Sequence, residues 1–364
     1  MLVPLTAATP DRCGAKAATL GTLLRAGLPV PDGVVIPFNS SFGDGLGRWL
    51  ESVGNPPVAV RSSASNEDTA GRSAAGQHDS FLGVQGVAAV ADAVRACLAS
   101  LWSPRATAYR GASDASMAVI VQLHVDADVS GVMFTDPAGS TLIESSWGLG
   151  PSVAEGRVTP DSYRVAPDGS VTSTIADKPT SLHREGSRVV TRDVPTIQRR
   201  APTLSAAAAT HLAGLAQQVT TLLGPSQDIE WALTGETPWL LQSRPITTNP
   251  PTPAEPVTGE RVLTGTPGSR GTATGPARVV LGQGDFAQVR PGDILVCRFT
   301  DPAWTPLLTI AAGVVTETGG VLSHAAIVAR ERGIPAVLGV PHATTRLRNH
   351  PHLTIEGTTG TIHL

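Results

Sequence analysis

The segment GVVTETGGVLSHAAIVARERGIPAV brings a histidine to the start of a helix. Gly319 and Gly320 follow a strand-like run, Ser323 stands where an N-cap opens a helix, and residues 325–332 are good helix formers. Gly333 fits the position just past the helix, and Pro335 blocks its continuation. His324 is therefore expected at the first helical position, among backbone N–H groups without intrahelical partners and at the positive end of the helix dipole. A neutral imidazole nitrogen is a nucleophile near neutral pH, and a phosphate attached to it there would meet backbone donors. The local pattern also allows a histidine of the capping region that does no chemistry.

The cationic residues are unevenly chosen. Of 27 Lys and Arg residues only Lys16 and Lys178 are lysine, so each is a position where a compact ammonium has not been replaced by a guanidinium. The acids Asp228 and Glu230 lie two apart in DIEWAL, a strand-like run, which puts both on one face. Cys13, Cys97 and Cys297 are odd in number, widely spaced and outside any CxxC pair, which argues for reduced, space-filling thiols rather than a disulfide frame or zinc cage. There is no GxxxxGK[ST] run, GLGPSV lacks the third glycine of a dinucleotide fingerprint, and GxSxG, HExxH and EF-hand patterns are missing. A net charge of −3 and 4% aromatic residues argue against a nucleic-acid partner. With 41% hydrophobic and 16% charged residues the chain should fold, and no apolar run approaches a membrane span. The start, MLVPLTAATPDRCG, lacks a basic stretch and an apolar core, so the expected location is cytoplasmic, with no membrane partner.

Strand-like and helix-like runs mix throughout, which gives an α/β (α+β) class. VAVRSSA, MAVIVQLHV, VSGVMFT, LIESSWGLG and PWLLQSRPI read as strands, some with turns. Residues 87–102 and 204–224 have helical spacing of apolar residues and much alanine. Residues 245–260, PITTNPPTPAEPVTGE, hold five prolines and read as a semi-rigid linker. Beyond it GDILVCRF and AGVVTETGG read as strands ahead of the helix that carries His324.

TGGVLSHAAIVARERGIPAVLGV resembles the phosphohistidine signature of the phosphoenolpyruvate (PEP)-utilising enzymes, the family of PEP synthase, pyruvate phosphate dikinase and rifampicin phosphotransferase. The likeness runs from GTPGSRGTATGPARVV through GDILVCRFTDPAWTPLL to EGTTGTIHL, and it implies that His324 is the phosphorylated residue. CGAKAATLGTLLRAGLPVPDGVV resembles the opening of the family's ATP-grasp domain, with Lys16 at the nucleotide-phosphate lysine. VAVRSSASNED and SAAGQHDSFLGV resemble its phosphate-contacting segment and place Arg61, Gly76 and Ser80 on binding positions. VIVQLHVDADVSGVMFTDP resembles the hinge that receives adenine, with Gln122 at a nucleotide-binding position. DIEWAL and LLQSRPIT resemble the metal-binding strands, putting Glu230, Gln242 and Arg244 on functional positions. The resemblance thus implies an ATP-grasp domain over 1–245, a linker over 246–260 and a smaller swivelling phosphohistidine domain over 261–364. ATP and Mg2+ are the expected cofactors. Lys16, Arg61 and Arg244 would neutralise the polyphosphate, Glu230 and Gln242 would hold the metal with Asp228 as a possible helper, and His324 and Arg244 would act in catalysis.

The sequence departs from the family in several places. Leu322 stands two residues before the histidine, where dikinases often carry threonine, and Pro151 replaces an acid in GLGP. Near the end, Asn349-His350-Pro351-His352 stands where an acidic-glycine turn is expected and reads as a surface turn. No PEP/pyruvate barrel or antibiotic-binding domain is recognisable. The implied activity is AMP-forming phosphotransfer of the dikinase type, from ATP through His324 to a small-molecule acceptor, a natural product or antibiotic among the options. Two alternatives stay open: a condensing, ligase-type enzyme that activates a small molecule by phosphorylation, and half of a split dikinase whose partner protein supplies the acceptor domain.

Overall fold

The computed structural model describes residues 1–65, 79–103, 115–246, 248–251, 262–348 and 350–364. They form a mixed α/β structure with two sheets before the proline-rich stretch and two after it, and a small hairpin of Thr180–Glu185 with Arg188–Asp193. The first sheet orders Val3–Pro4, Gly33–Ile36, Met117–Leu123, Val58–Ala64 and Ser80–Val84, all antiparallel. The second orders Thr237–Pro245, Gln227–Thr234, Val129–Thr135, Thr141–Trp147, Asp161–Val165 and Val171–Thr174, also antiparallel. Helix Pro10–Arg25 packs on strands of both sheets. Helix Ala206–Leu223 covers the second, burying Leu212, Leu215, Ala216 and Val219 at helical spacing, and the Ser205 hydroxyl caps it by accepting from the Ala208 N–H.

The C-terminal part is built differently. Ala277–Val279, Ile294–Cys297, Gly313–Thr316 and Ala336–Leu338 run parallel, with Thr266–Ser269 antiparallel at one edge. Its inner strands are buried along their whole length, as the unbroken apolar runs ILVC and AVL require. Parallel neighbours need a crossover, and helix His324–Arg332 supplies it between Gly313–Thr316 and Ala336–Leu338. Val262–Thr264, Thr361–His363, Leu353–Glu356 and Thr272–Gly275 form a second, antiparallel sheet. The expected linker over 246–260 lies mostly outside the described residues, and residues 246 and 248–251 belong to no helix or strand. His350 is half-buried, while Pro351 and His352 are exposed. Among the described residues no helix is long and apolar enough to cross a membrane.

All three cysteines are buried and outside any disulfide, and burial pushes the Cys297 thiol further from ionisation. The native chain should therefore react slowly with a thiol reagent at neutral pH, and all three should react once guanidinium unfolds it. Rapid stoichiometric reaction of the native chain would contradict this packing.

Candidate functional site

A glycine break and a serine hydroxyl locate Lys16. Helix Pro10–Arg25 is interrupted at Gly14, whose φ of 78° and ψ of 164° leave the helical region. A Cβ on Gly14 would lie 2.5 Å from Ser63 Oγ, so only glycine lets the two segments approach this closely. Ser63 Oγ donates to the Cys13 carbonyl (2.6 Å) and accepts from the Ala17 N–H (3.1 Å), serving as the cap of the restarted helix. Lys16, just before that N–H, is thereby held beside the strand that carries Arg61.

Arg61 spans the two sheets. It lies in Val58–Ala64 opposite Ser80, and its guanidinium reaches Gln242 Oε1, the Leu241 carbonyl and, at 3.4 Å, Glu230 Oε2. The pairing of Gln227–Thr234 with Thr237–Pro245 slips by one residue between Glu230 and Trp231, leaving Leu241 as the extra residue of a bulge. Arg61 takes the carbonyl of that residue. Alternation sorts the first of these strands: Ile229, Trp231 and Leu233 enter the core, while Asp228, Glu230 and Ala232 line a cavity. Opposite them on the partner strand stand Arg244, facing Asp228, and Gln242, facing Glu230. Arg244 Nε lies 2.7 Å from Asp228 Oδ2 in a buried pair. Burial pushes the Asp228 carboxyl above the usual range, and Arg244 opposes that rise.

His324 occupies the first turn of its helix as expected, after Ser323 in extended conformation and ahead of Gly333 with φ of 68°. One detail differs from the sequence expectation. The Ser323 hydroxyl makes no helix cap and instead donates to the Gly320 carbonyl at 2.7 Å, tightening the preceding turn. The imidazole is buried, with Nδ1 2.8 Å from Thr300 Oγ1 and Nε2 3.4 Å from Thr305 Oγ1.

One cavity of about 520 Å³ joins these groups. Lys16, Arg61, Ser80 and Gln122 line it from the first sheet and its helix, and Glu230, Gln242 and Arg244 line it from the second. His324 lines it from the C-terminal part. Gln122 contributes a restrained side chain, because its Nε2 donates to the Pro31 carbonyl at 2.8 Å. Gly76 lies outside the described residues.

Four further residues matter here that sequence reading passed over. Thr300 and Thr305 orient the imidazole and come from a loop and a short helix with no pattern of their own. Glu144, buried in strand Thr141–Trp147, accepts the backbone N–H groups of Val321 and Leu322. Burial pushes its carboxyl up to about 7 against the pull of those amides. Arg330, six residues after His324, is buried, and desolvation lowers it to about 10 against the opposing pull of the Glu144 and Asp228 charges. An acid inside the apolar run LIESSW and an arginine on a wholly buried helix face were the available signals, since buried charges need a reason.

Comparison with known proteins gives a consistent picture. Residues 41–262 match the family model described as pyruvate phosphate dikinase, AMP/ATP-binding domain. Residues 289–360 match that of the PEP-utilising enzyme, mobile domain. A probable phosphoenolpyruvate synthase of Methanothermobacter thermautotrophicus is 39% identical over 84% of this chain and 47% of its own length. One of Archaeoglobus fulgidus is 33% identical over 96% of this chain and 56% of its own. The phosphoenolpyruvate synthase of Escherichia coli is 36% identical over 85% and 43%. The chain thus spans about half the length of the curated relatives it matches.

Proposed function

Because the chain belongs to the pyruvate phosphate dikinase family of AMP/ATP-binding domains, we propose that it moves the β-phosphoryl group of ATP onto His324 and then to a small acceptor. The observation that carries this reading is the shared cavity, where Lys16, Arg61 and Arg244, the opposed Glu230 and Gln242, and the imidazole converge from separate parts of the chain. The reading assigns residues 1–245 to nucleotide binding and 261–364 to a swivelling carrier domain joined by the proline-rich linker.

Lys16, Arg61 and Arg244 carry charge suited to a polyphosphate whose transfer spreads negative charge over equatorial oxygens. Ser80 and Gln122 would border the nucleotide. The donor set also fits magnesium: Glu230 and Gln242 offer hard oxygen ligands on paired strands, and Asp228 Oδ1 is buried with no hydrogen-bond partner among the described residues. No group of three or more His, Cys, Asp or Glu forms a metal cage among the described residues, so phosphate oxygens and water would complete the shell. A magnesium ion held there would supply positive charge against the phosphates. In the tautomer that carries its proton on Nδ1, beside Thr300 Oγ1, the imidazole would keep its lone pair on Nε2, and that nitrogen would attack the β-phosphorus. AMP leaves, and the γ-phosphoryl group goes to water or inorganic phosphate. The names of the relatives support pyruvate as the acceptor over a natural product or antibiotic.

Product analysis tests the reading. With β-labelled ATP the chain should release AMP and retain an acid-labile, base-stable label. Inorganic phosphate or pyrophosphate as co-product would identify the γ-phosphoryl acceptor. ADP as the sole nucleotide product, with no label on the chain, overturns the proposal.

A further inference from the structure

We propose that Glu144 is a positioning residue for phosphoryl transfer: its carboxylate grips the peptide just ahead of His324 and sets the imidazole against the nucleotide. The inference rests on the carrier reading above and adds to it a residue outside the phosphate-binding set.

The grip is bidentate. Val321 N–H donates to Glu144 Oε1 at 2.7 Å and Leu322 N–H to Oε2 at 3.0 Å. Two bonds from successive amides to the two oxygens of one carboxyl group fix the peptide's orientation as well as its place. The same peptide is held from its other side, because Arg330 Nη1 donates to the Val321 carbonyl at 2.8 Å and to the Gly268 carbonyl at 2.9 Å. Arg330 belongs to the C-terminal part, so Glu144 is the member of this clamp that reaches across from the nucleotide-binding sheets.

Gly320 makes the approach possible. A Cβ there would stand 2.3 Å from both carboxylate oxygens, a distance that real side chains do not tolerate. Its φ is not in the left-handed region, so the glycine is required for space rather than for backbone conformation. Around the clamp, Leu322 and Ile327 pack on Val132, Phe134 and Val153, and Thr318 Oγ1 donates to the Gly156 carbonyl at 2.7 Å. The apolar contact supplies adhesion without direction, whereas the carboxylate supplies register. His324 follows Leu322 by two residues, so displacement of this peptide displaces the imidazole. Displacements of about 1 Å can cost on the order of 100-fold in rate.

Three measurements test the proposal on the full chain: single-turnover labelling of His324 from β-labelled ATP, nucleotide affinity, and amide hydrogen exchange at Val321 and Leu322. Glu144→Ala should label about 100-fold more slowly, keep its nucleotide affinity and lose protection at both amides. Glu144→Gln should fall between, because its carbonyl accepts one N–H while its NH2 group faces the other. Gly320→Ala should slow labelling in the unmutated background and add little to Glu144→Ala, since the carboxylate it collides with is gone. Labelling of Glu144→Ala at the unmutated rate overturns the proposal, as does a parallel loss of nucleotide affinity, which would mark a merely structural role. An unmutated chain that takes no label defeats the carrier reading instead. Unchanged exchange in Glu144→Ala would then overturn the grip on separate grounds.

Discussion

His324→Ala and His324→Asn should both fail to take label from β-labelled ATP while binding the nucleotide as the unmutated chain does. The two substitutions answer different objections. Alanine removes both ring nitrogens and leaves the buried Thr300 hydroxyl without its partner, at a cost of about 1–3 kcal/mol. Asparagine keeps a polar atom near the position of Nδ1, so it can preserve the Thr300 contact while removing the nucleophile. If the histidine were only a satisfied buried side chain, the asparagine variant would label normally. Eight other histidines are present among the nine, so loss of label on one substitution identifies the carrier. Retention of label in either variant would show that the phosphoryl group goes elsewhere and would sink the mechanism at its central residue.

The parts of this site that were legible in the sequence are those governed by short-range periodicity. Alternation in DIEWAL placed Asp228 and Glu230 on one face, and the structure turns that face to the cavity. The run from Gly319 to Pro335 carried both ends of a helix, and His324 sits in its first turn. What stayed hidden depends on pairings that no local pattern encodes. Glu144 meets amides 177 and 178 residues away, and backbone N–H groups have no sequence signature. Ser63 caps a helix 46 residues before it, because Gly14 lets the chain approach that closely. The bulge that leaves the Leu241 carbonyl to Arg61 was equally invisible, since a one-residue slip depends on the partner strand. Ser323 shows the limit in miniature: its position was readable, but its hydroxyl turned back to Gly320.

The two lysines should separate function from stability. Lys178 is completely buried, its Nζ 2.6 Å from Asp161 Oδ1 and 3.0 Å from the Ala176 carbonyl. Asp161 also accepts the backbone N–H groups of Ala176 and Thr203 and the Thr203 hydroxyl. The Tyr163 hydroxyl accepts from the Leu204 N–H just before helix Ala206–Leu223. The pair therefore ties strand Asp161–Val165 to the segment that launches the helix covering the second sheet. Removing one partner leaves the other buried and uncompensated, so Lys178→Met should cost about 3–5 kcal/mol. At about 2–4 °C per kcal/mol for a domain of this size, the melting temperature should fall by roughly 6–20 °C. Lys178→Met combined with Asp161→Asn should recover part of that loss, because the stranded carboxylate is removed. Lys16→Ala should do the reverse. Lys16 lines the cavity, so its substitution should abolish His324 labelling with little change in melting temperature. Arginine should rescue neither position, since a planar fork replaces a compact ammonium in a buried cage at Lys178 and beside phosphate oxygens at Lys16. A Lys178→Met variant that melts like the unmutated chain would show that the buried pair is dispensable. Normal labelling by Lys16→Ala would remove that residue from the nucleotide site.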